Sequence, residues 1–334
     1  MRIGLAGAGR IGAFHATTLS SLDGVHEVVV GDVDPATARS TAASLPAARV
    51  VPIEDLPDAG LDVLVVATST PAHAALIRAG VDRGLPTFCE KPVAATLDET
   101  IAVVRAVEDG DVPVQIGFQR RFDPGYRRAR DAVCSGELGF VHTLRATTGD
   151  RRPPHADYVP TSGGIFRDCS IHDADVVRFV TGHEVVRVFA LGGSKGEAFF
   201  AEGGDVDTGA ALLTLDDGTL ALLSTTRYHG QGHDVRLEVL GSTGSVCVGL
   251  DDSLALRSLE DGVRFPAGPV HDSFMDRFEP AYRAELTHFL AVARGEVPTP
   301  CTVRDALEAF RVAEACTVSL RDGRPVDLSE IPTT

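Results

Sequence analysis

The sequence predicts an α/β protein with two domains, a doubly wound parallel sheet followed by a domain whose sheet is mostly antiparallel. In residues 1–121, short apolar runs alternate with helical patterns, which is typical of a parallel sheet covered by helices on both faces. After residue 122 the strand-like segments become longer and are joined by tight turns, which indicates antiparallel hairpins. A chain of 334 residues also exceeds the usual size of a single core. We therefore expect domains at residues 1–121 and 122–334.

The expected strands of the first domain are short, nearly continuous apolar runs, as in sheets that are buried on both faces. They lie at residues 2–7, 27–32, 62–68, 86–92 and 112–118. The helical patterns between them lie at residues 11–22, 35–45, 72–83 and 96–109. Thr96 and Glu99 form a capping-box pattern at the start of the last of these helices.

The second domain is expected to contain two hairpins and two long helices. The hairpins lie at residues 211–225, with a DDG turn, and at residues 236–249, with a glycine-rich turn. Amphipathic patterns predict helices at residues 276–294 and 303–320. Hairpins joined by such short turns pair antiparallel strands, so the sheet of this domain should be mostly antiparallel.

The net charge and the cysteine pattern exclude several classes of partner. A formal charge of −16 at pH 7 repels nucleic-acid phosphates and anionic lipid head groups. Apolar runs such as residues 61–67 are too short for a bilayer, which requires about 20 residues, and the first residues lack the pattern of a secretory signal. Six scattered cysteines without a CxxC spacing indicate reduced thiols rather than disulfides or a zinc site. We expect a cytoplasmic protein that binds neither nucleic acid nor membranes.

A glycine-rich turn directly follows the first predicted strand. Residues 7–12 read GAGRIG, which matches G-x-G-x-x-G, and Asp32 lies 20 residues after Gly12 at the end of the next strand. The glycines let a pyrophosphate approach the helix N-terminus, while the carboxylate can accept hydrogen bonds from a ribose and repels a 2′-phosphate. This favours NAD over NADP; the alternative is a glycine turn beside a solvated aspartate. The residues predicted to bind NAD are Gly7, Gly9, Arg10, Ile11, Gly12, Asp32, Thr68, Glu90 and Lys91.

One lysine is conspicuous because this chain uses arginine almost everywhere else. Of the 31 basic residues only Lys91 and Lys195 are lysines, and Lys91 follows a predicted strand in the segment CEKP. Ligands of a doubly wound sheet bind at the carboxyl ends of its strands. An ammonium there indicates a need for a compact charge that can lose its proton, which a guanidinium does not provide. The alternative is a solvated lysine, as we expect for Lys195.

A histidine flanked by carboxylates lies in the segment GGIFRDCSIHDADVVRFVTG, residues 163–182. Asp168 and His172 are four residues apart, which places them about 40° apart around a helix, and Asp175 continues the same stripe. Cys169 falls on a different, core-facing side. A solvent-facing polar stripe would have the same period, but an imidazole, a carboxylate to orient it and an ammonium suit the oxidation of an alcohol by hydride transfer. We expect Asp175 to be a capping or structural group.

Several motifs in this order resemble those of a known family. GAGRIG, CEKP, GFQRRFDPGY (117–126), GGIFRDCSIHDAD (163–175), GDVDT (204–208) and RFEPAYRAEL (277–286) together look like the Gfo/Idh/MocA oxidoreductases, and within them the inositol 2-dehydrogenases. The resemblance implies an N-terminal Rossmann domain, a C-terminal α/β domain with a large open sheet, and homotetramers packed through that sheet. It also implies NAD-linked oxidation of a cyclitol or sugar hydroxyl by Lys91, Asp168 and His172.

The substrate pocket departs from the pattern of inositol dehydrogenases. Where those proteins carry a YGYD-like segment, this chain has QGHD, with Gln231 and His233 in place of the tyrosines. Loop packing is the alternative role for three of the candidate substrate contacts, Arg151, His155 and Tyr158, and core packing is the alternative for Tyr282. The residues predicted to bind substrate are Lys91, Arg121, Arg151, His155, Tyr158, Asp168, His172, His233 and Tyr282.

The predicted chemistry is proton removal by His172 as the ring carbon gives its hydride to the nicotinamide. Asp168 holds the imidazole, and Lys91 stabilises the developing oxyanion, so no metal is needed. Three alternatives stay open: a dehydrogenase for another sugar or an amino-cyclitol, an NAD-dependent glycosidase of the same superfamily, and a nucleotide-sensing regulator without catalysis. The acid–base set argues against the regulator, since a binding module does not need one.

Overall fold

The structure, a computed structural model, describes residues 1–333 and divides them into two compact units. The first unit comprises Met1–Gln119 and Tyr282–Leu307, and the second comprises Arg120–Ala281 and Glu308–Thr333. The division after residue 119 lies two residues from the expected one.

Residues 282–307, which the sequence assigned to the second domain, lie in the first unit. The physical reason is hydrophobic packing. Leu286, Phe289 and Leu290 are buried in the same core cluster as Phe88 and Val65 of the first sheet. Separation along the chain conceals this packing, because apolar periodicity shows that a helix has a buried face but not which sheet covers it.

The first unit is built on a parallel sheet of six strands. They are β1 (Arg2–Ala6), β2 (Glu27–Gly31), β3 (Ala48–Val50), β4 (Val63–Val66), β5 (Thr87–Glu90) and β6 (Val114–Gly117). Its helices are α1 (Arg10–Ser20), α2 (Pro35–Ala43), α3 (His73–Asp82) and α4 (Leu97–Glu108). The strand order β3-β2-β1-β4-β5-β6 is that of a doubly wound sheet, which confirms the predicted fold class.

The sequence reading of this unit missed one strand. All four predicted helices and five of the six strands are present, and the missing strand is β3. Its three residues pair only with β2 at the edge of the sheet and are not fully buried, so they lack the apolar run that marks the central strands. The capping box predicted at the start of α4 is confirmed: the Thr96 hydroxyl accepts a hydrogen bond from the Glu99 backbone amide at 3.2 Å.

The second unit is built on a sheet of seven strands. They are β7 (Val141–Gly149), β8 (Val185–Gly193), β9 (Thr208–Leu215), β10 (Leu220–Thr226), β11 (Asp234–Gly241), β12 (Ser245–Val248) and β13 (Val326–Asp327). The remaining helices of the chain are α5 (Pro124–Cys134), α6 (Ile171–Thr181), α7 (Phe199–Glu202), α8 (Phe274–Ala293) and α9 (Val303–Asp322). The order is β12-β11-β7-β10-β9-β8-β13. Both predicted hairpins, β9 with β10 and β11 with β12, are confirmed as antiparallel pairs.

One pair of neighbouring strands in this sheet, β7 and β10, runs parallel. Gly149, the last residue of β7, lies opposite both Thr226, the last of β10, and Asp234, the first of β11. The residues just beyond these positions therefore emerge along one edge of the sheet. They are Asp150, Arg227 and His233.

The two faces of the seven-stranded sheet differ. Along β9 and β10 the residues alternate between buried and exposed, with Leu213 and Leu223 on the buried face and Leu212 and Leu222 on the exposed one. The α6 region covers the buried face, where the Ser170 and Thr225 hydroxyls lie 2.7 Å apart. The sheet is thus open on one side, as the family resemblance implied.

A helix that crosses a bilayer must be long and apolar. Within residues 1–333, no helix has both the length and the apolar character needed to cross a membrane.

Candidate active site

The glycine-rich turn after β1 has the geometry of a phosphate cradle. Gly7 has a φ of +90°, and a Cβ there would lie 2.6 Å from the backbone of Ala67 and Thr68. A Cβ on Gly12 would lie 2.1 Å from the carbonyl oxygen of Gly7, so both positions require glycine. A Cβ on Gly9, by contrast, would meet no described atom within 4 Å. Gly7 and Gly12 therefore close the turn, while Gly9 leaves open space above it.

Asp32 lies beside this turn at the end of β2, as predicted. Its Oδ2 accepts a hydrogen bond from the Ala8 amide at 2.6 Å, and its Oδ1 accepts one from the Asp34 amide at 2.8 Å. Gly9 is the N-cap of α1, and within the described residues no side chain caps that helix. The positive end of the helix can therefore serve an anion, while carboxylate lone pairs remain for ribose hydroxyls. These residues fit NAD, and a carboxylate at this position disfavours the 2′-phosphate of NADP.

The other predicted cofactor residues lie nearby in the first unit. Arg10 is exposed and Ile11 partly buried on the first turn of α1. Thr68 follows β4, and Glu90 and Lys91 end and follow β5. His73, which the sequence reading missed, is buried with Nδ1 2.7 Å from the Pro92 carbonyl oxygen and Nε2 3.0 Å from the Thr68 carbonyl oxygen. This histidine connects the segments that follow β4 and β5.

Glu90 is held in a buried cluster directly before Lys91. Its Oε1 lies 2.7 Å from Nε2 of His15, a fully buried residue of α1. The Tyr282 ring packs edge-on against His15, with ring centroids 5.7 Å apart, and against Phe14. Tyr282 thus has the core-packing role that was its alternative reading, and its contact with substrate stays a prediction.

In the second unit, Asp168 lies in a π-helical turn and not in a regular α-helix. The π turn covers Phe166–Ser170, and α6 begins at Ile171, so His172 is on the first turn of α6. The expectation of one regular α-helix through Asp168 and His172 is therefore wrong, because a π turn lies between Asp168 and the start of α6. Such turns occur often at functional sites.

Both carboxylate oxygens of Asp168 accept hydrogen bonds from side chains distant in sequence. The Tyr158 hydroxyl donates to Oδ1 at 3.0 Å, and Arg227 Nη2 donates to Oδ2 at 2.8 Å. Arg227 Nη1 in turn contacts Cys169 Sγ at 2.8 Å and Asp150 Oδ2 at 3.3 Å. Cys169 is buried with the core residues, as its face of the helix predicted, and it also contributes to this polar cluster.

Burial and the charges within the cluster raise the pKa values of Tyr158 and Asp150. Burial and the nearby Asp168 carboxylate raise the pKa of Tyr158, so its hydroxyl remains a donor. Burial also raises the pKa of Asp150; Arg227 opposes this effect and Asp168 adds to it. His233 Nδ1 lies 3.6 Å from Asp150 Oδ1, and burial together with Arg120 lowers the pKa of His233 to about 4. His233 is therefore neutral near pH 7.

The carboxylates that follow His172 belong to structural ion pairs. Arg120 Nη1 donates to Asp173 Oδ1 at 2.5 Å, and the Asp175 carboxylate accepts three hydrogen bonds from Arg121, the shortest at 2.6 Å. All four side chains are almost completely buried. Asp175 thus has the structural role expected of it, rather than continuing the Asp168 stripe. Arg121 is held in this pair, and its contact with substrate stays a prediction.

The loop before the π turn contributes one of its three candidate residues to the Asp168 cluster. Tyr158 contacts Asp168, as described. Arg151 forms an ion pair with Asp272. The His155 side chain is 81% exposed and accepts from the Asp157 amide of its own loop. Neither of these two contacts joins Arg151 or His155 to the Asp168 cluster, so their contacts with substrate stay predictions.

Asp150 and Arg227 are the functional candidates that the sequence reading missed. A weak signal was available, since both follow strand-like segments, and polar residues at strand ends gather at one edge of a sheet. The decisive fact is that β7 and β10 are parallel neighbours, although 70 residues and two other strands separate them in the chain. Hairpin signals cannot reveal such a pairing.

Comparison with known proteins agrees with both halves of this description. Residues 1–118 match the model of the oxidoreductase family with an NAD-binding Rossmann fold, and residues 126–247 match that of the GFO/IDH/MocA C-terminal domain. The chain belongs to the Gfo/Idh/MocA oxidoreductase family. Its first domain is accordingly an NAD-binding Rossmann domain, and the motif resemblance noted in the sequence is confirmed.

Relatives within the Gfo/Idh/MocA family cover nearly the whole chain. It is 39% identical to the myo-inositol dehydrogenase Hyg17 of Streptomyces leeuwenhoekii, over 97% of this chain and 98% of that protein. The crystal structure of a myo-inositol dehydrogenase from Corynebacterium glutamicum ATCC 13032 superposes with a TM-score of 0.90 at 32% identity, covering 100% of this chain and 99% of that one. A scyllo-inositol dehydrogenase from Lactobacillus casei, solved with NAD(H) and scyllo-inositol, superposes with a TM-score of 0.89 at 26% identity, covering 98% and 99%.

Proposed function

We propose that this chain is an NAD-dependent dehydrogenase that oxidises a secondary hydroxyl of a cyclitol or sugar, most closely in the manner of a myo-inositol 2-dehydrogenase. The observation that carries the proposal is the Asp168 carboxylate, held by Tyr158 and Arg227 on the turn directly before His172. It occurs in a chain whose first domain is NAD-binding and whose full-length relatives include inositol dehydrogenases.

The glycine turn and Asp32 are assigned to the cofactor. The turn of Gly7–Gly12 binds the pyrophosphate at the N-terminus of α1, and the Asp32 carboxylate accepts hydrogen bonds from the hydroxyls of the adenosine ribose. Thr68, Glu90 and Lys91 lie at the carboxyl ends of β4 and β5, where ligands of doubly wound sheets bind. Bound NAD supplies a hydride acceptor.

The acid–base chemistry falls to three side chains. His172 accepts the proton of the substrate hydroxyl, and Asp168 orients the imidazole and favours its protonated form. The Lys91 ammonium binds the same hydroxyl and stabilises the negative charge that develops on its oxygen. This set requires no metal, because Lys91 already supplies the positive charge.

A substrate panel tests the reaction. Wild-type protein with NAD is incubated with myo-inositol, scyllo-inositol, glucose and an amino-cyclitol, and NADH absorbance is recorded. We expect NADH formation with at least one cyclitol or sugar. His172→Ala and Lys91→Met should each lower kcat at least 10²-fold, a typical effect of losing a general base or an oxyanion partner. Lys195→Met is the matched lysine control and should retain wild-type kcat.

Two results would redirect the assignment. A His172→Ala variant that oxidises the substrate at the wild-type rate would refute the acid–base role. Release of free sugar from a glycoside without net NADH would identify the NAD-dependent glycosidase instead.

The second candidate is a dehydrogenase for another sugar or an amino-cyclitol. Its specific support is the neutral, buried His233 beside Asp150, at a position where inositol dehydrogenases are expected to carry a tyrosine. Recognition of ring hydroxyls depends on matched donors and acceptors, so this exchange should change which polyol is preferred. The same panel separates the two candidates.

We also propose a homotetrameric, cytoplasmic protein. The open face of the seven-stranded sheet carries exposed Leu212, Leu220 and Leu222, a surface that a second copy of the chain can cover. The six cysteines are free thiols, which fits a reducing compartment.

A further inference from the structure

Arg227 and Asp150 lie at the ends of two neighbouring parallel strands of the second sheet. Arg227 directly follows β10, Asp150 directly follows β7, and the two strands are parallel neighbours with Thr226 opposite Gly149. Parallel strands end at the same edge, so the guanidinium and the Asp150 carboxylate are placed side by side by the backbone. The Arg227 amide donates to the Asp207 carbonyl oxygen at 2.8 Å, which fixes the start of the side chain.

The guanidinium of Arg227 joins two carboxylates from different parts of the second unit. Nη2 donates to Asp168 Oδ2 at 2.8 Å, and Nη1 donates to Asp150 Oδ2 at 3.3 Å and to Cys169 Sγ at 2.8 Å. Arg227 is 3% exposed. Arg120, by comparison, donates from Nη1 to the Asp173 carboxylate and from Nη2 to the Thr148 hydroxyl, which is neutral.

We propose that Arg227 is a positioning residue that holds Asp168 in the orientation His172 requires and prevents repulsion between Asp168 and Asp150. The inference rests on the proposed function, in which Asp168 orients the imidazole. Arg227 itself is assigned no contact with substrate.

Two physical arguments favour positioning over simple packing. A carboxylate with one oxygen bound by a charged fork and the other by a phenol has little freedom to rotate, and small displacements of catalytic groups can cost about 10²-fold in rate. In addition, two partly buried carboxylates close together disfavour each other's ionisation, and Asp168 already raises the pKa of Asp150 while Arg227 lowers it.

Lysine cannot reproduce this arrangement. An ammonium is a compact point charge, whereas the planar guanidinium reaches Asp168 and Asp150 through different nitrogens. The charged and titratable groups that face Arg227 are Asp168, Asp150, Cys169 and Tyr158, with His233 beside Asp150. We expect the pH effect of removing Arg227 to act first on the Asp168 and Asp150 carboxylates, which it contacts directly.

The experiment compares Arg227→Met, Arg227→Lys and the control Arg311→Met. Arg311 is also a buried arginine of the second unit, but its guanidinium binds Glu308 and the carbonyl oxygens of Leu328, Ile331 and Pro332. For each variant we would measure the melting temperature, kcat, KM and the pH profile of kcat/KM. The side-chain carboxyl groups are titrated by ¹³C NMR of aspartate-labelled protein, with Asp150→Asn and Asp168→Asn for assignment.

We expect Arg227→Met to lower kcat about 10²-fold with less than a threefold change in KM, and Arg227→Lys to lower kcat about tenfold. In Arg227→Met the carboxylates lose their cation, so their midpoints and the acid limb of kcat/KM should move to higher pH by about one unit or more. Arg311→Met should lower the melting temperature but leave the carboxyl midpoints and the acid limb of kcat/KM unchanged. An Arg227→Met enzyme with wild-type kcat, or with unchanged carboxyl midpoints, would overturn the proposal.

The NMR titration separates this inference from the proposed function. If none of the polyols or sugars tested supports NAD reduction by the wild-type chain, the dehydrogenase assignment fails. Carboxyl midpoints that move only in the Arg227 variants would still establish that Arg227 controls the ionisation of these carboxylates. If Arg227→Met does not fold, the graded effect of Arg227→Lys on kcat and on the midpoints decides.

Discussion

At the residue scale, His233 shows how burial sets a protonation state that the sequence alone does not reveal. Histidine is usually half-charged near pH 6.5, but here burial and Arg120 lower the pKa of His233 to about 4. Its ring lies among Asp150, Phe274 and Arg120 of the second unit. A neutral imidazole can offer either a donor or an acceptor to a polyol hydroxyl, whereas the tyrosine of the inositol-dehydrogenase pattern offers a hydroxyl.

His233 should make the folded protein sensitive to acid. The folded-state pKa lies below the unfolded value, so the unfolded chain binds the proton more tightly and stability is lost as pH falls from about 6.5 towards 4. Between pH 7 and pH 5 this loss amounts to about 2 kcal/mol in the free energy of unfolding. Urea denaturation of His233→Gln should show a smaller decrease over that range than wild type.

The exposed His142 on β7 is the matched control. His142→Gln should retain the wild-type dependence of stability on pH. If His233→Gln loses as much stability as wild type between pH 7 and pH 5, His233 is not the group responsible.

The candidate site shows the same limit of sequence reading. Lys91, Asp168 and His172 could be proposed from motif and chemistry, and Tyr158 from its position in the preceding loop. Arg227 could not, because it lies 59 residues from Asp168 and no local pattern connects them. Contacts between distant segments depend on which strands pair, and periodicity carries no information about that.

At the element scale, the turn between β1 and α1 assigns different tasks to its glycines. A Cβ on Gly12 would collide with the backbone of Gly7, so that glycine serves the close packing of the turn. A Cβ on Gly9 would meet no described atom nearby, so the fold itself tolerates a side chain there. Space kept open at the N-terminus of a helix is what an approaching pyrophosphate requires.

Alanine substitutions should therefore separate folding from cofactor binding. Gly12→Ala should lower the free energy of unfolding by about 1–3 kcal/mol, as overpacking does. Gly9→Ala should change stability by no more than about 0.5 kcal/mol, yet weaken NAD binding at least tenfold by occupying the approach of the pyrophosphate. Thermal denaturation of the apoprotein and calorimetric titration with NAD measure the two effects. Wild-type NAD affinity in Gly9→Ala would show that the pyrophosphate does not lie over this turn.

The π turn is the element that sequence reading described incorrectly. The helical spacing predicted a regular α-helix through residues 166–170, whereas the structure has a π turn there. The turn is wider because its residues are held from several sides: the Ser170 hydroxyl lies 2.7 Å from that of Thr225, and Asp168 is bound by Arg227 and Tyr158. Tertiary contacts can override the local preference for an α-helix.

At the scale of the whole molecule, the exposed face of the seven-stranded sheet is the feature that bears on assembly. Leu191, Leu212, Leu220 and Leu222 are each at least 40% exposed on neighbouring strands β8, β9 and β10. Contiguous apolar surface of this kind is typical of contacts between subunits. Because only about half of each side chain is exposed, burying the rest of one such leucine would contribute about 1 kcal/mol to association.

A charge on this face should therefore dissociate the proposed homotetramer. Leu222→Glu places a carboxylate directly opposite Leu212 on this face. Light scattering after size-exclusion chromatography should then show a smaller assembly than wild type. Leu259→Glu is the control, because Leu259 is 84% exposed but lies outside the sheet. A monomeric wild-type protein, or a Leu222→Glu protein that remains tetrameric, would contradict an assembly through this face.

The sequence by itself determined most elements of the first domain, the two hairpins and the long helices beyond it, and the chemistry that lies within short segments. Apolar runs, capping residues and hairpin turns placed the strands and helices, and GAGRIG, CEKP and the helix containing His172 marked the candidate residues, because these signals act over a few residues of chain. Only the tertiary structure decided the packing of residues 282–307 on the first sheet, the parallel pairing of β7 with β10, and the contact of Arg227 with Asp168 and Asp150. These depend on which distant surfaces bury each other, and that choice is made by the packing of the whole chain.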